Sequence, residues 1–254
     1  MTNFFKKHKK TLLGCVASLS ALAILIIANC LANFIVPTNN LSSQVQANEF
    51  EMYLISLSKS QVESEARSHA EDFQIIGAGG FIWEKDGYFH IISSGYLNKP
   101  DAELVQNSIK LNQNLDSELL SVKFDSISIY GNWQTEESKA LSALLSSCTN
   151  FYCNIYDIAI SLDTAVCNET TAKLAVNSAH HDFSTTLANF NTLFSKPCPE
   201  NLSSIYNLAV QGYKIGEKLA REEKVNPNQN YSSLLKYRYL EVMNLYYNFC
   251  LEDK

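Results

Sequence analysis

The strongest constraint in this chain is a stretch of 26 residues without a formal charge, Thr11 to Val36, rich in Leu, Ile and Ala. It follows a basic cluster, Lys6, Lys7, His8, Lys9 and Lys10. About 20 apolar residues suffice to cross a bilayer as a helix. A basic flank stays on the cytoplasmic side, which directs the remainder of the chain outward. A cleaved leader has the same order of parts, but the run is long for one and Ala28-Asn29-Cys30 is a poor cleavage site. The sequence therefore predicts a cytoplasmic stub over 1–10, a single transmembrane helix over 11–36 and a polar linker over 37–47. It predicts a cell-membrane location with the bulk of the chain outside the cytoplasm.

Charge divides along the same line. All 26 acidic residues lie beyond position 48, so the first 36 residues carry +4 and the rest −10. An exterior of that sign disfavours charge-driven attachment to anionic wall polymers or lipid, and it excludes a nucleic-acid partner.

Residues 48–130 read as a small α/β domain. Glu49 to Leu57 is strand-like. Ser58 to Phe73 has helical composition, with Ser60 and Glu63 at capping-box spacing. Ile75 to Trp83 and Tyr88 to Ser93 flank the turn Lys85-Asp86-Gly87 as a hairpin. Pro100 to Leu115 is a helix behind Asn98. Leu119 to Tyr130 alternates as a last strand. The order β-α-β-β-α-β is that of a ferredoxin-like sheet, with helices on one face and the other face open.

The residues Tyr53-Leu54-Ile55-Ser56-Leu57-Ser58 and Tyr88-Phe89-His90-Ile91-Ile92-Ser93-Ser94-Gly95-Tyr96, with Ala66 and Ala102 in the two helices, resemble the SPOR (sporulation-related repeat) domain. That family reads like Tyr-x-Val-Gln-x-Gly in its first strand and Tyr-x-Arg-Val-x-x-Gly-Pro-Phe in its third. The resemblance spans about 80 residues and its motifs are short. It implies an extracytoplasmic module that binds peptidoglycan, favouring glycan strands stripped of stem peptides, through its open sheet face, in cell division or sporulation. By that match Ser56, His90 and Ile92 lie on the glycan face, and period-2 geometry separates them from Ile55, Leu57, Phe89 and Ile91. Trp83 and Tyr88 can stack on a sugar ring or pack within the sheet. Ser56 stands where the family has Gln, and His90 where it has Arg. Ser reaches less far toward sugar hydroxyls than Gln does. These replacements favour an alternative, an envelope scaffold that binds proteins, including those of the division machinery, and has lost the glycan.

Residues 131–254 change pattern. Leu141, Leu144, Cys148, Phe151, Ile155, Ile158 and Leu162 step by three and four, as do Val176, His180, Phe183, Leu187, Phe190 and Phe194. Ile205, Leu208, Gly212, Ile215 and Leu219 make a third stripe, and Leu235, Tyr239, Val242, Tyr246 and Phe249 a fourth. Four such helices predict an up-down bundle. The predicted class is thus α+β: a transmembrane helix, a SPOR-like ferredoxin fold and a helical bundle.

No catalytic constellation emerges, so the chain reads as non-enzymatic, without a cofactor. Adjacent His180 and His181 point about 100° apart on a helix and lack a third ligand. Five cysteines lie beyond the apolar run. In an up-down bundle the ends of the second and fourth helices share a pole, which makes Cys198 with Cys250 the one sensible disulfide.

Overall fold

The computed structural model of the chain describes residues 44–194, 198 and 200–252. The predicted span over 11–36 lies outside them. Among the described residues no helix is long and apolar enough to cross a membrane. The predicted class is corrected accordingly: the described chain is α+β with six helices and two small sheets, and contains no membrane-crossing helix.

The larger sheet is antiparallel. Its strands are β2 (Phe50–Ser60), β3 (Phe81–Lys85), β4 (Tyr88–Tyr96) and β5 (Glu118–Phe124), in the order β3-β4-β2-β5. Helix α1 (Glu63–Ile75) joins β2 to β3, and α2 (Lys99–Gln113) joins β4 to β5. The smaller sheet was not anticipated. The end of the expected linker forms β1 (Gln44–Ala47), which pairs antiparallel with β6 (Ile127–Tyr130). The single last strand expected over 119–130 is therefore broken after Phe124, and its second piece turns to a different partner. Val45, Ala47 and Ile127 are buried there, so this ribbon closes one side of the main core.

The bundle consists of α3 (Thr135–Asp163), α4 (Glu169–Leu193), α5 (Ser203–Ala220) and α6 (Tyr231–Glu252). Side chains cap the first two bundle helices, whereas the capping box expected of Ser60 and Glu63 does not form: Val62 stands at the N-cap of α1, without a side-chain cap. The Asn168 side chain accepts from Thr171 N at 2.9 Å, and Glu137 accepts from Gln134 N at 2.7 Å. The stripes do face inward: Leu141, Leu144, Phe151, Val176, Phe183, Leu208 and Val242 are all buried. Gly212 sits where α5 crosses its neighbours, and a Cβ there would lie 2.9 Å from the Phe183 ring and 3.0 Å from Cys148 Sγ. The thiol of Cys148 is pushed up to about 12 by burial, so it packs as a small apolar group.

Sheet and bundle share one core. Met52, Leu54, Phe81, Trp83, Ile92, Val122 and Phe124 from the sheet belong to the same apolar cluster as the bundle stripes. The opposite sheet face carries α1 and α2, through two separate clusters. Ala66, Ala70 and Ile91 form one with Phe73 and Phe89; Ile55, Tyr96 and Ala102 form the other with Val105 and Ile109.

The junction is fixed at Gly95. Strand β3 pairs with β4 only as far as Phe81 opposite Ile92, so β4 runs on past its neighbour. A backbone peptide left unpaired in a core costs as much as a lost hydrogen bond. Two tyrosines take the place of the missing strand: Tyr152 Oη donates to Gly95 O at 2.9 Å, and Gly95 N donates to Tyr239 Oη at 3.3 Å. One comes from α3 and the other from α6, with their rings 5.2 Å apart edge to face. Gly95 has no room for a side chain, since a Cβ would meet Leu54 Cδ2 at 2.9 Å and Leu240 Cδ2 at 3.2 Å. Tyr152→Phe and Tyr239→Phe each strand one of the two backbone polar groups of Gly95, its carbonyl or its N–H, in an apolar setting. Each should lower unfolding stability by about 1–3 kcal/mol, read from urea titration of the single variants. A change below about 0.5 kcal/mol in both would mean that these two backbone groups find other partners.

Candidate functional site

The five residues assigned to the glycan face do come together. Strand alternation holds, so Trp83 is the cross-strand partner of His90, and Phe81 that of Ile92. Ser56 sits at an irregularity of β2, with register shifts on both sides of it. Its hydroxyl donates to Ser58 O at 3.1 Å and lies 3.2 Å from His90 Nδ1, which places the imidazole hydrogen on Nδ1. Burial holds the His90 ring below the usual histidine range, against a smaller opposing pull from Glu118. The pair is a neutral, internally satisfied hydrogen bond. Tyr88, half-buried at the strand end, packs its ring edge-on to His90 at 6.4 Å and receives Lys59 Nζ over its face at 5.4 Å.

The openness expected of this face is not there, and that expectation is corrected. Ser56, Trp83, His90 and Ile92 are 2%, 1%, 4% and 0% exposed. Helix α6 lies across the sheet. Tyr247 packs on Trp83 at 5.4 Å and on Phe124 at 5.5 Å, Tyr237 meets Phe81 at 5.3 Å, and Tyr246 stacks near Phe124 at 6.0 Å. Trp83 thus packs on an aromatic ring, but at a tilt of 46° and on a tyrosine of the same chain. Sequence reading found the first stripe of α6 and missed the second. Leu234, Leu240 and Met243 are also fully buried, and a helix apolar on both sides is covered on both sides.

A polar seam, which sequence reading also missed, locks α6 in place. The loop before it folds back on α1: Asn226 Nδ2 donates to Glu71 O at 3.3 Å, and buried Gln229 donates to Ser233 Oγ at 3.1 Å. Ser233 in turn donates to Ala78 O, and Lys236 Nζ reaches Gly77 O at 2.9 Å and Asp163 Oδ2 at 2.6 Å. Arg238, buried, is held by Glu241 and by the Glu223 carbonyl, both at 2.6 Å. The Asn226-Pro227-Asn228-Gln229 segment is the sequence signal for this docked loop.

His180 is half-buried and stacks on Tyr213 at 4.8 Å, with burial holding its ring below the usual range. No group of three metal-ligating side chains occurs among the described residues. The pairing expected of Cys198 and Cys250 is corrected too: no disulfide joins them. Cys250 is buried in the core at the end of α6, whereas Cys198 is half-buried beyond α4.

No family model, curated protein or solved structure matches this chain.

The covered face makes an optical prediction. In a Trp133→Phe background the emission of Trp83 should be blue-shifted and quenched by iodide several-fold less than that of free tryptophan. Quenching comparable to the free amino acid would mean that α6 leaves the face in solution.

Proposed function

We propose that this chain is a non-catalytic protein-interaction scaffold of the cell envelope, in which a SPOR-like sheet supports the helical bundle instead of a glycan. One observation carries the reading: the face on which the resemblance puts the sugar is occupied by α6, and Ser56, Trp83, His90 and Ile92 are spent on internal contacts. A glycan would have to displace Tyr237, Tyr246 and Tyr247 from an aromatic cluster. The loss would be several buried side chains, at about 1.5–3 kcal/mol each, and a few sugar hydrogen bonds cannot offset that. The envelope setting follows from the basic residues 6–10 and the apolar run after them. The net charge of −10 beyond that run suits protein partners better than anionic polymers.

Purified sacculi, with and without amidase treatment to strip the stem peptides, test this. Retention of the chain should be at background on both, and in-cell crosslinking in native cells should recover it with envelope proteins. Selective retention on the stripped glycan would overturn the reading.

A further inference from the structure

The other face of the sheet is less complete than a two-helix layer usually is. Helices α1 and α2 rest on it through separate apolar clusters. Between them lies a cleft of about 470 Å³, within the range of ligand sites in folded domains. Its floor is Leu57 with Ser93 and Ser94, and Val105 and Ile109 of α2 form one wall. The end of α1 supplies Ile76 and Gly77 opposite, and α3 and α6 close the cleft with Ile160, Asp163, Ser232 and Lys236.

We propose that this cleft takes an extended peptide segment of a partner protein, with one large apolar side chain seated between α1 and α2. This rests on the scaffold reading, in that the occupant belongs to another protein. Three features select a peptide. First, two lining residues from different elements are apolar and exposed, Ile76 at the end of α1 at 53% and Ile160 of α3 at 39%. Covering them together with Leu57, Val105 and Ile109 is favourable for a large apolar group. Second, the wall beside that apolar zone is polar but electrically balanced. The Lys236 ammonium is matched by Asp163 at 2.6 Å, and Ser232 also donates to Asp163. A free carboxylate or phosphate would meet Asp163, and a bare lipid tail would leave these groups desolvated without partners. A peptide backbone is uncharged and offers one donor and one acceptor per residue. Third, the wall retains bonding capacity. The Asn230 side-chain oxygen accepts from Ser233 N at 2.8 Å, which leaves its amide hydrogens as donors, and Asp163 has lone pairs beyond those in use. The mode is side-chain capture with backbone hydrogen bonding, set at the seam where both the sheet helices and the bundle contribute.

The test uses the full-length chain and a blocked pentapeptide, acetyl-Gly-Ser-X-Ser-Gly-amide, with a photoreactive benzoylphenylalanine at X. Mass spectrometry should place the crosslinks in residues 76–78 and 105–113. Excess peptide with Phe at X should compete, and peptide with Ser at X should not. Ile76→Asp and Ile160→Asp alter exposed rim positions, and each, in protein whose circular dichroism and melting match the parent, should lower labelling at least about fivefold, roughly 1 kcal/mol of binding. Leu104→Asp, on the outer side of α2 at 70% exposure, should leave labelling unchanged. The proposal is overturned by crosslinks scattered over the surface, by equal competition from the Ser peptide, by displacement with decanoate but not with the Phe peptide, or by rim variants that label like the parent. Complexes still recovered in cells after such a result would remove the cleft alone; their absence as well would remove the scaffold reading with it.

Discussion

The backbone N–H and carbonyl of one residue, Gly95, govern how the two halves of this molecule meet. Strand β4 extends past β3, and the exposed edge at Gly95 has to be satisfied inside an apolar core. Tyr152 and Tyr239 do this with their hydroxyls, and in doing so they set the depth and direction of α3 and α6 against the sheet. The lack of a side chain at Gly95 permits the approach, since Leu54 and Leu240 already close on that position. A tyrosine is suited to the task because its ring adds buried apolar area and its one polar atom goes to the edge that needs it.

The remaining features follow from that docking. With α6 pressed on the sheet, Trp83, Phe81 and Phe124 become core residues shared with Tyr237, Tyr246 and Tyr247. The polar seam from Asn226 to Arg238 then prevents the helix from sliding, because each of its bonds ends on a backbone carbonyl or a side chain of fixed position. The two faces of the sheet exchange their expected roles. The face that the resemblance leaves open is filled, and the face that carries helices keeps a cleft between them.

Much of this architecture was legible in the residues. The three-and-four stepping of Leu141 to Leu162 and of Val176 to Phe194 located two long helices, and period-2 alternation put His90 and Ile92 on one face of their strand. Which surface would cover that face was not legible, for a physical reason. Tyr237 and Tyr247 are amphipathic and suit a solvent edge as well as a core. Only the tertiary partner decides between the two, and Phe81 and Trp83 are more than 150 residues distant from them. The β1–β6 ribbon was hidden similarly, because Gln44 to Ala47 is polar in alternate positions and its pairing partner lies beyond the whole larger sheet. The Cys198–Cys250 pairing assumed that helix ends at one pole bring their thiols together, whereas Cys250 turns into the core.

The central claim is that α6 and the sheet form one cooperative unit joined at Gly95. Native-state hydrogen exchange of the Gly95 amide measures this most directly. The amide should exchange only through global unfolding, with the same denaturant dependence as the core amides of β4 and of α6. Exchange of Gly95 through a smaller opening, with α6 protection unaffected, would contradict the account: the helix and the sheet would then be separable, and the covered face would be open for part of the time.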